Sequence, residues 1–212
     1  MSVYKNRAEK RPHFINSRNF DADQVYETRL ELDLHSGTHI DMPLHIIPGG
    51  ASSDTYLPEH FILPALLLDF SGNSAPAITE TDLQGKEQEL SGSGLNLSPD
   101  LAVLLKTKNS LKEQFDFNFT FLEVSGARYL AERQVALVGL DALGIERDQP
   151  GHQTHRALLE QGIWIVEGLR LFDPPQGLYT LVLAPLKISG VEALPARALL
   201  LPAKQEWLEL KR

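Results

Sequence analysis

Residues Thr28 to Leu34 alternate strictly. Leu30, Leu32 and Leu34 fall on one side of the chain, Arg29, Glu31 and Asp33 on the other. A period of two belongs to a strand with one face in a core, so the pattern predicts a half-buried strand. The chain then enters His35-Ser36-Gly37-Thr38-His39-Ile40-Asp41-Met42-Pro43-Leu44-His45. Gly37 and Pro43 argue there against a regular helix or a central strand. Pro48 to Asp54, with Gly49-Gly50 and two serines, has the composition of a mobile flap beside a site.

Apolar runs at Pro64 to Phe70 and Leu101 to Thr107 predict short buried strands. Between them Ser71 to Pro99 is polar, with room for one short helix near Thr79 to Gln84. Helical spacing returns over Phe121 to Glu132, followed by a strand from Val135 to Leu140. Thr154 to Gln161 predicts another helix, stopped by Gly162. Ile163 to Val166 and Tyr179 to Leu183 read as strands. Helices and strands alternate in the second half, which argues for an α/β fold with some parallel pairing. No repeat and no linker interrupts the chain, so one domain is expected over residues 1–212.

Composition narrows the function. With 212 residues, 42% of them hydrophobic and 23% charged, the chain is long and apolar enough for an ordinary core. The net charge is −8, which excludes a broad basic surface for nucleic acid. Lys5, Arg7, Lys10 and Arg11 cluster at the start and read as a solvated face. No run reaches the roughly 18 apolar residues of a membrane span, and the opening lacks the apolar core of a signal peptide. A soluble, cytoplasmic protein without membrane contacts is the expectation. Cysteine is absent, so any metal site here must use nitrogen and oxygen ligands.

Such ligands are concentrated. Of seven histidines, His35, His39 and His45 fall within eleven residues, with Asp41 among them. His39 and Asp41 are two apart and share a face in extended chain. His35 and His39 would stand roughly 13 Å apart in a straight strand. Both can reach one ion only if the chain turns between them, and Gly37 permits that turn. A single histidine here would read as a surface imidazole; three with an aspartate around a glycine turn favour a metal. A second cluster lies further on. His155 sits in the first turn of a predicted helix, and Glu167 shares a strand face with Ile163 and Ile165. Glu167 either ends that strand at the surface or is buried against a cation. His152 competes as a ligand, although Gly151 beside it suggests a loop.

The string H-x-G-T-H-x-D-x-P-x-H from His35 to His45 resembles the signature of the cyclase family, which contains bacterial kynurenine formamidases and isatin hydrolases. Gly49-Gly50 with Leu57-Pro58-Glu59, and Leu104-Leu105-Lys106-Thr107, are similar to further family segments. So are His155-Arg156-Ala157-Leu158-Leu159, Glu167 twelve residues after His155, Ala184 to Ile188 and Pro195 to Ala198. The resemblance runs over roughly residues 20 to 200. It implies a swivelling β/β/α domain with a mixed central sheet and a site for one or two divalent ions, zinc foremost and manganese as the alternative. By position, His35, His39 and Asp41 match ligands of a first ion. Asp41, His155 and Glu167 match ligands of a second, with Asp41 and Glu167 bridging. His45 matches the proton donor and acceptor.

The resemblance also implies a homodimer or homotetramer and hydrolysis of a small amide, formamide or lactam by metal-activated water. The kynurenine formamidases carry a tryptophan and a P-G-D string near the N-terminus; Val3-Tyr4-Lys5-Asn6-Arg7 offers neither. N-formylkynurenine hydrolysis proper, a non-catalytic metal clamp and a polyketide-type cyclase are the alternatives. Thr38 is a candidate to orient Asp41 or a water, and Lys106 to stabilise an oxyanion.

Overall fold

The apolar runs are nearly continuous because each buried strand is covered on both faces. Leu66, Leu68, Val103 and Leu105 face a layer of helices, whereas Leu67 and Leu104 face the opposite way into a second core. The computed structural model describes residues 2–92 and 95–203. In chain order its strands are β1 (His13–Arg18), β2 (Glu27–Glu31), β3 (His39–Asp41), β4 (Ile62–Asp69), β5 (Ala77–Ile78), β6 (Ala102–Lys106), β7 (Phe121–Leu122), β8 (Leu137–Leu140), β9 (Trp164–Glu167), β10 (Gly177–Pro185) and β11 (Ala193–Pro202). The α-helices are α1 (Phe20–Asp23), α2 (Glu80–Ser91), α3 (Val124–Glu132) and α4 (Gln153–Leu159).

Seven strands close a barrel in the order β10, β11, β3, β9, β8, β6, β4. Strands β4, β6, β8 and β9 are parallel to their neighbours in that series. The pairs β9–β3, β3–β11, β11–β10 and β10–β4 are antiparallel. The expected mixed α/β sheet is therefore present, curled into closure. Its interior is filled by residues such as Ile40, Leu67, Leu104, Val166 and Leu181. The helix-covered core lies outside it, where Ile165, Val138 and Leu140 meet Leu130 of α3 and Leu158 of α4.

Alternation on β3 positions the chemistry. Ile40 points into the barrel, so His39 and Asp41 on either side of it point out, towards α4. This three-residue strand is a central member of the barrel, against the expectation from Gly37 and Pro43. Both residues lie just outside the paired segment, so they bound the strand rather than prevent it. The start of the chain is fastened to the same turn. Val3 bridges Ser36, and the Gly37 amide donates to the Ser2 carbonyl at 3.2 Å.

Three further expectations need correction. The strand at Thr28 forms as β2, but among the described residues it pairs only with β1, and every residue of it is exposed. Its alternation is real, yet no core among the described residues receives Leu30. The loop at Pro48 to Asp54 is tethered rather than free. The Leu44 amide donates to the Ala51 carbonyl, and Ser53 bonds Ile188 and Val191 through its hydroxyl and its amide. The helix expected near Thr79 to Gln84 runs on to Ser91, started by a Thr79–Asp82 capping box. Among the described residues, no helix is long and apolar enough to cross a membrane.

Candidate metal centre

Strands β3 and β9 pair with His39 opposite Glu167, which puts both on the outer face of the barrel. His39 Nε2 lies 3.4 Å from Asp41 Oδ1 and 3.5 Å from Glu167 Oε2. His155 reaches the same carboxylates from the first turn of α4. Its Nε2 is 3.7 Å from Asp41 Oδ2 and 3.5 Å from Glu167 Oε1. His35 completes the group, with Nδ1 3.1 Å from Asp41 Oδ1. Gly37, at φ 66°, makes the turn that brings the His35 ring to 4.9 Å from the His39 ring. Asp41 thus has one oxygen towards His35 and His39 and the other towards His155.

His45 ends a 3-10 turn begun by Pro43. Its ring lies 4.3 Å from that of His35 and 5.6 Å from that of His155. Atoms of His35, Asp41 and His45 capable of binding a metal also fall within 4.8 Å of one another. All six residues singled out in the sequence therefore converge on one cluster.

The cluster is short of partners. Asp41 is fully buried, and among the described residues neither of its oxygens accepts a hydrogen bond; His39 Nε2 is likewise without one. Buried lone pairs in this state are costly unless a cation meets them. Protons fill the need in the metal-free chain. Burial works against charge on His39, but Asp41 and Glu167 outweigh it and push the imidazole up to about 10. Burial opposes charge on His155 too, yet Glu146, Glu167 and Asp41 also raise it to about 10. Against burial, His39 and His35 hold Asp41 well below the usual carboxylate range. Burial and Asp41 both act to raise Glu167, but His155 and His39 bring it down to about 2. Burial lowers the pKa of His45, which favours its neutral form. A divalent cation would take the place of the protons on His39 and His155, and this nitrogen and oxygen donor set suits such an ion. His39 Nδ1 lies 2.9 Å from the Gly37 carbonyl, so it holds one ring proton there, and Nε2 is the nitrogen that would face a metal.

One contributor has no signal in its spacing. Glu146 is buried, accepts a bond from the Thr154 amide at 2.8 Å, and lies 2.7 Å from His152 Nδ1. Its Oε1 is also 2.9 Å from His155 Nδ1. That approach lies off the N–H direction, so it is an electrostatic contact rather than a directed hydrogen bond. Only its place in the apolar stretch Ala142-Leu143-Gly144-Ile145 would have marked Glu146 in the sequence. His152 caps α4 in a left-handed conformation and stays outside the Asp41 cluster. Thr38 does not orient Asp41: its hydroxyl donates to the Gly168 carbonyl at 2.7 Å. Lys106 is committed to the Pro174 carbonyl at 2.9 Å and to Asp69 at 3.4 Å. Gly168, at φ 68°, lies so close to Gly37 that a Cβ would collide with the Gly37 carbonyl oxygen. The two ligand-bearing segments are thus joined backbone to backbone.

These contacts predict that Glu146→Gln weakens metal binding by about 10–100-fold, the usual effect of removing a carboxylate behind a ligand histidine. Competition with a chromophoric chelator measures it. Unaltered affinity would show that Glu146 does not position His155.

Comparison with known proteins identifies the family and the fold. The sequence model of the Cyclase family, described as "Putative cyclase", matches residues 3–147. The chain is 33% identical over 186 residues to a kynurenine formamidase of Salinibacter ruber (strain DSM 13855 / M31), covering 86% of this chain and 83% of that one. A solved structure of a potential metal-dependent hydrolase with cyclase activity superposes with a TM-score of 0.82 at 43% identity, over 94% of this chain and 90% of that one. Isatin hydrolase A from Labrenzia aggregata, bound to benzyl benzoate, shares the fold at 24% identity, with a TM-score of 0.77 over 92% and 84% of the two chains. With its family model matched over more than half its length and a relative above 30% identity aligned over most of it, the chain belongs to the cyclase family.

Proposed function

We propose that the chain is a metal-dependent hydrolase that cleaves the C–N bond of a small amide, formamide or lactam. The observation that carries this reading is the fully buried Asp41, with no hydrogen bond to either oxygen among the described residues and imidazoles on either side. His35, His39 and Asp41 would hold one divalent ion. Asp41, His155 and Glu167 would hold a second, with Asp41 and Glu167 shared. When bound, such an ion supplies Lewis acidity and a water whose pKa falls from 15.7 to about 7. His45 is the group left to move a proton. It is partly buried, its neutral form is favoured, and it stands between the His35 and His155 rings. In that form it takes a proton at one ring nitrogen and returns it to the leaving amine.

Kinship with a kynurenine formamidase supports a formamide as substrate; the shared fold of isatin hydrolase A suggests testing a lactam. The absence of a tryptophan in Val3 to Arg7 favours a substrate other than N-formylkynurenine. A panel of N-formylkynurenine, a simple aryl formamide, isatin and an aryl ester separates these substrates. His45→Ala should keep its metal and lose about 10²–10⁴-fold in turnover on whichever member is cleaved. Unchanged turnover would contradict the role of His45, and hydrolysis of none would favour a metal clamp without catalysis.

We also propose that the protein assembles with copies of itself, as a homodimer or homotetramer. The arm formed by β1, α1 and β2 supports this: Phe14 on β1, Phe20 at the start of α1 and Tyr26 just before β2 are 73%, 68% and 61% exposed. A two-stranded ribbon is marginal alone, and large exposed apolar groups on one arm suit burial against a second copy. Light scattering should give a dimer or tetramer mass for the full chain, and a monomer mass for Phe14→Asp with Tyr26→Asp. A monomeric wild type, or a variant that stays assembled, would contradict the arm's role.

A further inference from the structure

The imidazoles around Asp41 do not all face it with the same nitrogen. His39 and His155 turn Nε2 towards the carboxylates, and each has an oxygen behind its other nitrogen. The Gly37 carbonyl lies 2.9 Å from His39 Nδ1, and Glu146 Oε1 lies 2.9 Å from His155 Nδ1. His35 is reversed. Its Nδ1 stands 3.1 Å from Asp41 Oδ1, and its Nε2 lies 3.5 Å from Glu192 Oε1. Behind His35, Glu192 therefore takes the place that the Gly37 carbonyl and Glu146 take behind the other two rings.

Backbone pairing puts Glu192 there. Its carbonyl accepts the Met42 amide at 2.9 Å, and the next residue, Ala193, begins β11 by pairing with Asp41. On its other side Val191 is bonded twice to Ser53. The Ser53 amide donates to the Val191 carbonyl at 3.0 Å, and the Val191 amide donates to Ser53 Oγ at 3.2 Å. The chain on both sides of Glu192 is thus fastened, to the end of β3 and to the loop after His45. His35 has the greater need of such a partner. His39 is carried by β3 and His155 by α4, whereas His35 lies on the turn between β2 and β3. A neutral imidazole carries one N–H, so a ring that gives Nδ1 to a cation keeps its proton on Nε2. A carboxylate beside that proton fixes the tautomer and the ring's orientation, and makes the ligand nitrogen more basic.

We propose that Glu192 is a positioning residue for the ion shared by His35, His39 and Asp41: it accepts the Nε2 proton of His35, so that His35 ligates through Nδ1 while His39 and His155 ligate through Nε2. The proposal rests on the metal-dependent reading and adds to it the nitrogen that each histidine offers.

Long-range proton–nitrogen NMR of the isotope-labelled full chain, loaded with Cd²⁺, reads the ligating nitrogen directly. Cadmium should couple to Nδ1 of one histidine, His35, and to Nε2 of His39 and His155. Glu192→Ala should weaken the binding of one ion about tenfold, measured by competition with a chromophoric chelator. That is the low end of the range for a carboxylate behind a ligand histidine, because the Glu192 side chain is 39% exposed. Glu192→Gln, whose amide oxygen still accepts the Nε2 proton, should recover part of the loss. Coupling to Nε2 of all three histidines would overturn the proposal and leave the metal centre standing. Full affinity in Glu192→Ala, or no recovery in Glu192→Gln, would overturn the role of Glu192. A chain that takes up no Cd²⁺ would overturn the metal-dependent reading and this proposal with it.

Discussion

Asp41 sets the constraint that the surrounding structure meets. A carboxylate with no access to water and no hydrogen bond to either oxygen is tolerable only if positive charge reaches both of them. His35 and His39 supply it at one oxygen and His155 at the other. Those imidazoles come from a glycine turn, a three-residue strand and a helix distant in sequence. The barrel's closure, the contact of Gly168 with Gly37 and the seating of α4 against β9 are what bring them together. In the metal-free chain protons serve as the counter-charge. The same lone pairs are ready for a divalent ion.

The alternation of β3 links this centre to the rest of the fold. Ile40 belongs to the barrel interior, and its two neighbours belong to the chemistry outside. One strand therefore separates two environments, a polar and buried one beneath α4 and an apolar one inside the barrel. The Thr38–Gly168 bond closes the seam between them at the point where both ligand-bearing segments pass. This arrangement makes the centre a property of the barrel, not of a surface loop.

Much of the centre was legible in the sequence because its donors are unusual residues at short spacing. His35, His39, Asp41 and His45 lie in one eleven-residue string, and a glycine within it makes their convergence possible. Glu167 was ambiguous, since a carboxylate after an apolar run is either a strand end or a ligand; the pairing of β9 with β3 buries it. Glu146 was missed because its contacts to His152 and His155 depend on how α4 begins, which no local pattern encodes. Among the strands, β4, β6 and β8 announced themselves by apolar runs. β11 did not, because Leu194, Ala196 and Ala198 inward and Leu199 and Leu201 outward erase the period of two. The period at β2 was clear but misleading, since alternation does not say whose core receives the apolar face. Gly37 and Pro43 argue against a strand at β3, yet they delimit a very short strand as readily as they forbid a long one.

The central claim is that the Asp41 cluster exists to hold divalent metal. Elemental analysis of the protein purified without chelator or added metal, repeated after addition of Zn²⁺ or Mn²⁺, tests it most directly. The account predicts up to two ions per chain, lost together with Asp41→Ala. A chain that takes up neither metal, or an Asp41→Ala variant that remains fully loaded, would contradict it.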